Sequence, residues 1–335
     1  DCEVRMLEER FTAIPVGRTT AFHARGEILE VEFRHAGHVP GAVSVRLTHG
    51  KESILFSGDI LFTDQHILPG ADPGVESPVN TLVLETTRGA TRRNAGCSRL
   101  QESERLVATI AETLRHGGSC LLPVFALGRM QEILSLLHEA MQRQRIPPCP
   151  VYASGLGMDL ANYFDFLSRK NSPLHFRKRI LKELGVRKIP REIDPGRSPP
   201  GPAIYVASSG MVVANTPSYR LSAAMIGESA NTVCFVGYCD PEAPGHEILT
   251  AGHGGQVLFE TLSFETPCRA RVERFDLSSH ADRDELLDYA ISRNPATVVL
   301  SHGDPEARAW FEEELYASVL DARVVDPPPL ERLHC

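Results

Sequence analysis

Four ionisable side chains stand just past the ends of apolar, strand-like runs. They are Asp59 after ILFSG, Glu85 after TLVL, His280 after FDLSS and His302 after TVVLS. A fifth, His38, lies in the turn HAGHVPG between two further runs of this kind. α/β proteins gather reactive groups at such places, because the sheet is rigid and the loops leaving its strands converge. Imidazole and carboxylate are donors that zinc accepts, at about 2.0 to 2.2 Å. Each residue also has a plainer reading. An Asp in SGD is a common turn former, and His38 near Gly37 and Gly41 suits an ordinary turn. Asp304 and Pro305 would cap and open a helix and leave His302 incidental. Glu85 could simply pair with Arg88. No single signal is strong, but five such residues at five strand exits are unlikely by chance, and together they make a candidate metal site.

The elements that must position these residues follow from periodicity. From Glu27 to Thr86 the apolar residues alternate or cluster as strands: Ile28, Val31 and Phe33, then Val43, Val45 and Leu47, then Ile54 to Phe56, then Thr81 to Leu84. The middle of the chain alternates strands with amphipathic helices, the pattern of a parallel sheet with crossovers. Ser98 and Gln101 form a capping box, Leu106, Ile110 and Leu114 line one helix face, and Gly117-Gly118 stop it. A strand is predicted at Cys120 to Phe125, a helix over Met130 to Met141, a strand at Val151 to Ser154 and a helix over Met158 to Arg169. Further strands are predicted at Ile204 to Ala207 and Val233 to Tyr238. Asp194 to Pro202 reads as a loop. From Arg271 a strand, helix, strand, helix series returns: Val272 to Leu277, Asp284 to Ser292, Thr297 to Leu300 and Glu306 to Leu315.

The 335 residues suffice for two domains, and the formal net charge of −8 disfavours non-specific coating of nucleic acid. A local basic groove stays open. Residues 177 to 191 hold seven Lys or Arg against Glu183 alone, and Arg88, Arg92, Arg93 and Arg99 follow one another with no acid between them. Taken alone, each run reads as a solvated face. The eight cysteines are scattered with no Cys-x-x-Cys pair, which favours buried thiols over disulfides or a zinc ribbon. No apolar run approaches the ~18 to 20 residues that cross a membrane, and no signal-peptide pattern opens the chain. A cytoplasmic protein is expected.

Beyond spacing, HAGHVPGA, LFSGD, LVLETT, LLPVFALGRMQEIL, ASSGM, FVGYCDPEAPG, LSSHADRDEL and VLSHGDPEAR occur in that order. Together they resemble the bacterial β-CASP group of metallo-β-lactamase-fold nucleases, from about Phe33 to about Glu313. That group is similar to ribonuclease J and to the endonuclease subunit of the pre-messenger RNA cleavage machinery. The resemblance implies an α/β fold: a metallo-β-lactamase αββα sandwich over residues 1–92 and 270–335, a β-CASP domain inserted at 93–269, and an active site in the cleft between them. It makes His38, Asp59 and His302 ligands of two zinc ions, with Asp59 bridging. It makes His280 catalytic, as general acid or phosphate-holding group, and has Glu85 orient His280. Arg88, Arg129, Ser208 and Ser209 become the residues that touch nucleic acid. The implied substrate is single-stranded RNA, with single-stranded DNA as an alternative, no membrane partner, and oligomerisation left open.

One departure stands out. The family's His-x-His-x-Asp-His motif should precede His38, yet none of the thirteen histidines has another two positions away. With Asp1 as first residue, the chain is expected to be truncated at its N-terminus and inactive as it stands. The alternative is a non-catalytic RNA-binding or scaffold relative. A small-molecule metallo-hydrolase is the weaker reading, because PVFALGR and SSHAD belong to the nucleic-acid-cutting group.

Overall fold

The computed structural model describes residues 11–74, 77–93, 97–169, 174–176, 179–319 and 322–328. The chain divides into two compact units: Asp1–Thr63, Gly70–Arg92 and His280–Cys335 form the first, Asp64–Pro69 and Arg93–Ser279 the second.

The first unit is built on a seven-stranded sheet. Its order is Thr19–Ala24, Glu27–His35, Val43–His49, Glu52–Phe56, Thr81–Glu85, Thr297–Ser301, Arg323–Val325. The first four strands form an antiparallel meander, and the last four run parallel. Period-two alternation sends Leu55, Leu82, Leu84, Val298, Leu300 and Val324 to one face. There they pack on Leu286 and Tyr289 of the helix Arg283–Arg293 and on Phe311 and Leu315 of the helix Pro305–Ser318. The register places Phe33, Val45, Leu47, Ile54, Phe56 and Val83 on the opposite face. None of these six belongs to that core, and Phe56 is 38% exposed. Among the described residues, helices cover one face of this sheet and leave the other apolar and partly open. Truncating Leu82, wholly buried, is therefore expected to cost about 2 to 5 kcal/mol. Phe56→Ala should cost about 1 kcal/mol or less. Urea midpoints of the two variants compare them directly.

The second unit holds a six-stranded sheet, all parallel, in the order Arg271–Arg274, Thr232–Phe235, Cys120–Pro123, Ile204–Ala207, Val151–Ala153, Arg187–Lys188. Its central strands are apolar at nearly every position because both faces are covered. Cys120, Leu122, Ile204, Val206 and Cys234 enter a core with the helices Arg99–Arg115, Arg129–Gln142 and Gly155–Leu167. Leu121, Tyr205, Ala207, Val233 and Phe235 enter another, with the helix Pro217–Met225 and the hairpin Gln256–Phe259/Phe264–Pro267. The predicted capping box is present, with the Ser98 amide donating to Gln101 Oε1 at 2.7 Å and the Gln101 amide to Ser98 Oγ at 3.2 Å. Cys97, Cys120, Cys149, Cys234, Cys239 and Cys268 are free thiols, and four of them, Cys120, Cys234, Cys239 and Cys268, are buried. Cys2 and Cys335 lie outside the described residues. Among the described residues no helix is long and apolar enough to cross a membrane.

Candidate active site

Three neighbouring parallel strands in the first unit end at the candidate residues. Phe56 pairs with Val83, and Ser301 pairs with Glu85, so the chain leaves Glu52–Phe56, Thr81–Glu85 and Thr297–Ser301 on the same edge of the sheet. Adjacent strands lie about 4.8 Å apart, so residues at or just beyond these exits come within reach of one another. Local backbone chemistry aims each one. Gly58, two residues past its strand, has φ +59, and a Cβ there would stand 3.0 Å from the Val43 carbonyl oxygen. His302 itself is left-handed at φ 51. Its carbonyl is held by the Thr86 amide at 2.8 Å and by Thr86 Oγ1 at 2.9 Å. His38 sits in a turn closed by the Ala36 amide on the Ala42 carbonyl at 3.1 Å. Gly37 beside it has φ +71, and a Cβ would meet the Leu61 carbonyl oxygen at 2.2 Å. His280 precedes the helix Arg283–Arg293, whose N-cap Asp282 and Glu285 form a capping box.

The structure brings all five residues together. Ligand atoms of Asp59, Glu85, His280 and His302 all lie within 4.8 Å of one another. The two Asp59 oxygens face different histidines, with His38 Nε2 3.7 Å from Oδ2 and His302 Nδ1 3.4 Å from Oδ1. The rings of His38 and His280 are 4.5 Å apart, and those of His280 and His302 5.7 Å. Glu85 is buried, and its carboxylate acts only as an acceptor. His280 Nδ1 donates to its Oε2 at 2.9 Å, the Ile60 amide to its Oε1 at 2.7 Å, and Thr87 Oγ1 to its Oε2 at 2.6 Å. Burial pushes the Glu85 carboxyl upward, but the His280 hydrogen bond and charge, with Thr87 and Ile60, outweigh it and hold the group below the usual carboxylate range.

The donor set suits a metal ion. Two imidazoles around a carboxylate, with a third imidazole carried on a buried glutamate, is the histidine and carboxylate chemistry that zinc takes. Thr87, which touches both Glu85 and His302, was given no role from the sequence, although it closes the motif LVLETT.

The candidate nucleic-acid contacts are arranged differently. Arg88 is buried, with Nη2 4.0 Å from Asp282 Oδ2. Arg129 belongs to the second unit and is buried, donating from Nη2 to Ser279 Oγ at 2.7 Å, and burial pulls its guanidinium down to about 9. Ser208 donates its amide to Ser154 Oγ at 3.0 Å, and Ser209 Oγ accepts from the Val213 amide at 3.1 Å. The run from Arg88 to Arg99 is not a solvated face. Arg93 pairs with Asp276 at 3.2 Å and Arg99 with Glu132 at 3.0 Å, and of the four only Arg92 is well exposed, beside Asp284 at 2.9 Å. In the basic stretch Arg179, Lys182, Arg187, Lys188 and Arg191 are exposed, while Arg177 and Lys178 lie outside the described residues.

Glu132 organises the polar interior of the second unit. It accepts from Arg99 Nη2 at 3.0 Å, from the Ile67 amide at 3.2 Å and from His66 Nδ1 at 3.1 Å. Burial opposes its charge, yet His66 and the two arginines hold it down to about 2. Glu132→Gln should cost about 3 to 5 kcal/mol, because it strands a buried cation. The contribution is present above the ordinary carboxylate value of 4.5 and is lost as pH falls towards about 2. Thermal melts of both proteins from neutral to acid pH check this: the gap should narrow on the acid side.

Comparison with known proteins points to one family. The Beta-Casp domain model matches residues 130–248, and the model of the Zn-dependent metallo-hydrolase RNA specificity domain matches residues 265–324. The chain is 29% identical to RNase aCSPSF2 of Saccharolobus solfataricus, over 97% of this chain and 62% of the relative. Residues 130–248 thus match a β-CASP domain. Integrator complex subunit 11 of Danio rerio is 29% identical over 86% of this chain and 47% of its own length. Ribonuclease TTHA0252 of Thermus thermophilus is 29% identical over 83% of this chain and 63% of its own. The chain thus spans roughly half to two thirds of the curated relatives it matches. The fold is α/β, and the two matched domains are consistent with a metallo-β-lactamase fold with an inserted β-CASP domain.

Proposed function

We propose that this β-CASP chain carries part of a zinc-dependent phosphodiesterase site for single-stranded RNA. The observation that carries the reading is the Asp59 carboxylate, with one oxygen towards His38 and the other towards His302. That arrangement fits a carboxylate shared by two ions, with His38 and His302 as further ligands. Bound zinc would supply a water of lowered pKa and neutralise phosphate charge. His280 holds its Nδ1 proton on Glu85, so Nε2 is the nitrogen that hands a proton to the leaving 3′ oxygen. The buried Glu85 fixes that ring's orientation and raises its basicity.

RNA is favoured as the substrate because two of these relatives are named ribonucleases and the matched C-terminal model is an RNA specificity domain. Arg179, Lys182, Arg187, Lys188 and Arg191 are the exposed cations that fit backbone phosphates. Five contacts at about −0.7 each give a slope of about −3.5 in log K against log salt for a single strand. Titrating labelled single-stranded RNA at several salt concentrations checks it, and a flat response would remove this surface from the proposal. The cations also sit on and around the edge strand Arg187–Lys188, where charge alone serves to discourage strand pairing. Charge reversal at Arg187 and Lys188 separates the two roles.

A second reading has an observation of its own. The 335 residues hold no His-x-His pair, so the carried-over ligand set comprises only His38, Asp59 and His302. Zinc sites need nearly complete, preorganised ligands, so weak zinc affinity and low turnover are expected of this chain alone. A non-catalytic RNA-binding relative would share that behaviour. Zinc content measured beside cleavage of single-stranded RNA and DNA, in this chain and in one supplied with a His-x-His-x-Asp-His segment, tests the catalytic reading. About two zinc ions and cleavage in the supplied chain support it, whereas RNA binding without cleavage in both supports the scaffold.

A further inference from the structure

Two histidines of the first unit are joined through one hydroxyl and one carboxylate. Thr87 Oγ1 lies 2.6 Å from Glu85 Oε2 and 2.8 Å from His302 Nδ1. On its other side Glu85 meets His280 Nδ1 at 2.9 Å. We propose that Thr87 is a positioning residue that fixes the tautomer of His302, forcing its proton onto Nδ1 and reserving Nε2 as the nitrogen that can bind a metal.

The protons available at these atoms fix the direction of each bond. A threonine hydroxyl has one hydrogen to give and two lone pairs to receive with. Every group around the Glu85 carboxylate is a donor: the Ile60 amide, His280 Nδ1 and Thr87. The carboxylate has no proton to give back, and a separation of 2.6 Å is that of a charge-assisted O–H to O⁻ bond. The single Thr87 hydrogen is therefore committed to Glu85. The 2.8 Å contact to His302 can then be a hydrogen bond only if Nδ1 of His302 is the donor. A second neighbour agrees, because Asp59 Oδ1, also an acceptor, faces the same nitrogen at 3.4 Å. With Nδ1 protonated, the lone pair of the neutral ring is on Nε2. The result is one directed chain: His302 Nδ1–H to Thr87, Thr87 O–H to Glu85, and His280 Nδ1–H to the same carboxylate. It sets the tautomers of a proposed ligand and of the proposed proton donor together.

A backbone device supports this reading. The His302 carbonyl is clamped by the amide and hydroxyl of Thr86, and a Cβ on Gly303 would lie 2.4 Å from Thr86 Oγ1. The consecutive threonines thus hold His302 at two points, Thr86 its main chain and Thr87 its ring.

The assignment of the tautomer stands on hydrogen-bond geometry, and its consequence for zinc rests on the metal site proposed above. The test separates them. Ring-nitrogen NMR of the metal-free protein, with labelled histidine, is recorded at roughly pH 8.5, about two units above the ordinary imidazole value. Wild type is expected to show His302 in one form, protonated at Nδ1. Thr87→Val, equal in shape but without the hydroxyl, is expected to show a mixture of tautomers, and Thr87→Ser the single wild-type form. Thermal melts confirm that both variants are folded. A wild-type His302 protonated at Nε2, or a Thr87→Val spectrum unchanged from wild type, overturns the proposal. Zinc alone is then titrated calorimetrically. Thr87→Val should bind about 10 to 100 times more weakly than wild type, with Thr87→Ser close to wild type. Should wild type show the Nδ1 proton yet bind no zinc, the metal reading fails and the tautomer assignment stands.

Discussion

Asp59→Ala is expected to lose both bound metal and phosphodiesterase activity, in a chain supplied with a complete ligand set. The residue stands between His38 and His302 with one carboxylate oxygen towards each. Removing it takes an anionic donor from two ions at once and leaves two incomplete ligand sets, whose affinity depends on preorganised neighbours. Changes beyond the ligand shell already weaken such sites about 10 to 100-fold, so loss of a shared ligand should exceed 10²-fold. Zinc retained after desalting, measured against protein, reads this directly. Asp59→Asn makes the companion experiment, because it keeps the shape and removes the charge. Retention of two zinc ions by either variant would mean that Asp59 is a turn residue.

His280→Ala should behave in the opposite way towards the metal. Its Nδ1 is occupied by Glu85, and its proposed task is to deliver a proton, so zinc content should hardly change while the rate on RNA falls by about 10² or more. Leaving-group chemistry makes the role specific. A phosphodiester whose leaving group is a nitrophenolate needs no proton, so the defect should shrink towards the wild-type rate on that substrate. Glu85→Gln should follow the same pattern more weakly, because it disturbs the orientation of the ring without removing it. An equal loss on both substrates, or loss of zinc from His280→Ala, would assign His280 to the metal.

The site was legible where chemistry follows strand geometry. Asp59, Glu85 and His302 each stand at or just past the end of a strand that alternation or an apolar run marks clearly, and the three strands prove to be neighbours in parallel register. The fold was legible for the same reason: Leu121 and Leu122, adjacent in sequence, enter different cores, and that two-sided burial is what an uninterrupted apolar run encodes. Partnerships across long sequence separations were not legible. Nothing near Thr87 announces His302, 215 positions away, and nothing near Arg99 announces Glu132 or the serine backbone at Ser278 that it also holds. The run from Arg88 to Arg99 misleads for that reason, since its acids, Asp276, Asp282, Asp284 and Glu132, come from other elements. The strand Thr19–Ala24 carries no buried face to set an alternation, whereas Thr216-Pro217, which caps and opens a helix at Pro217–Met225, was a signal present in the sequence and passed over.

The most direct test of the account is zinc-edge anomalous diffraction from crystals of this chain equilibrated with millimolar zinc. Anomalous density is expected beside Asp59, within about 2.0 to 2.2 Å of a carboxylate oxygen and of a nitrogen of His38 or His302. Zinc found only at other histidines, with Asp59 and His302 left as a plain ion pair, would contradict it.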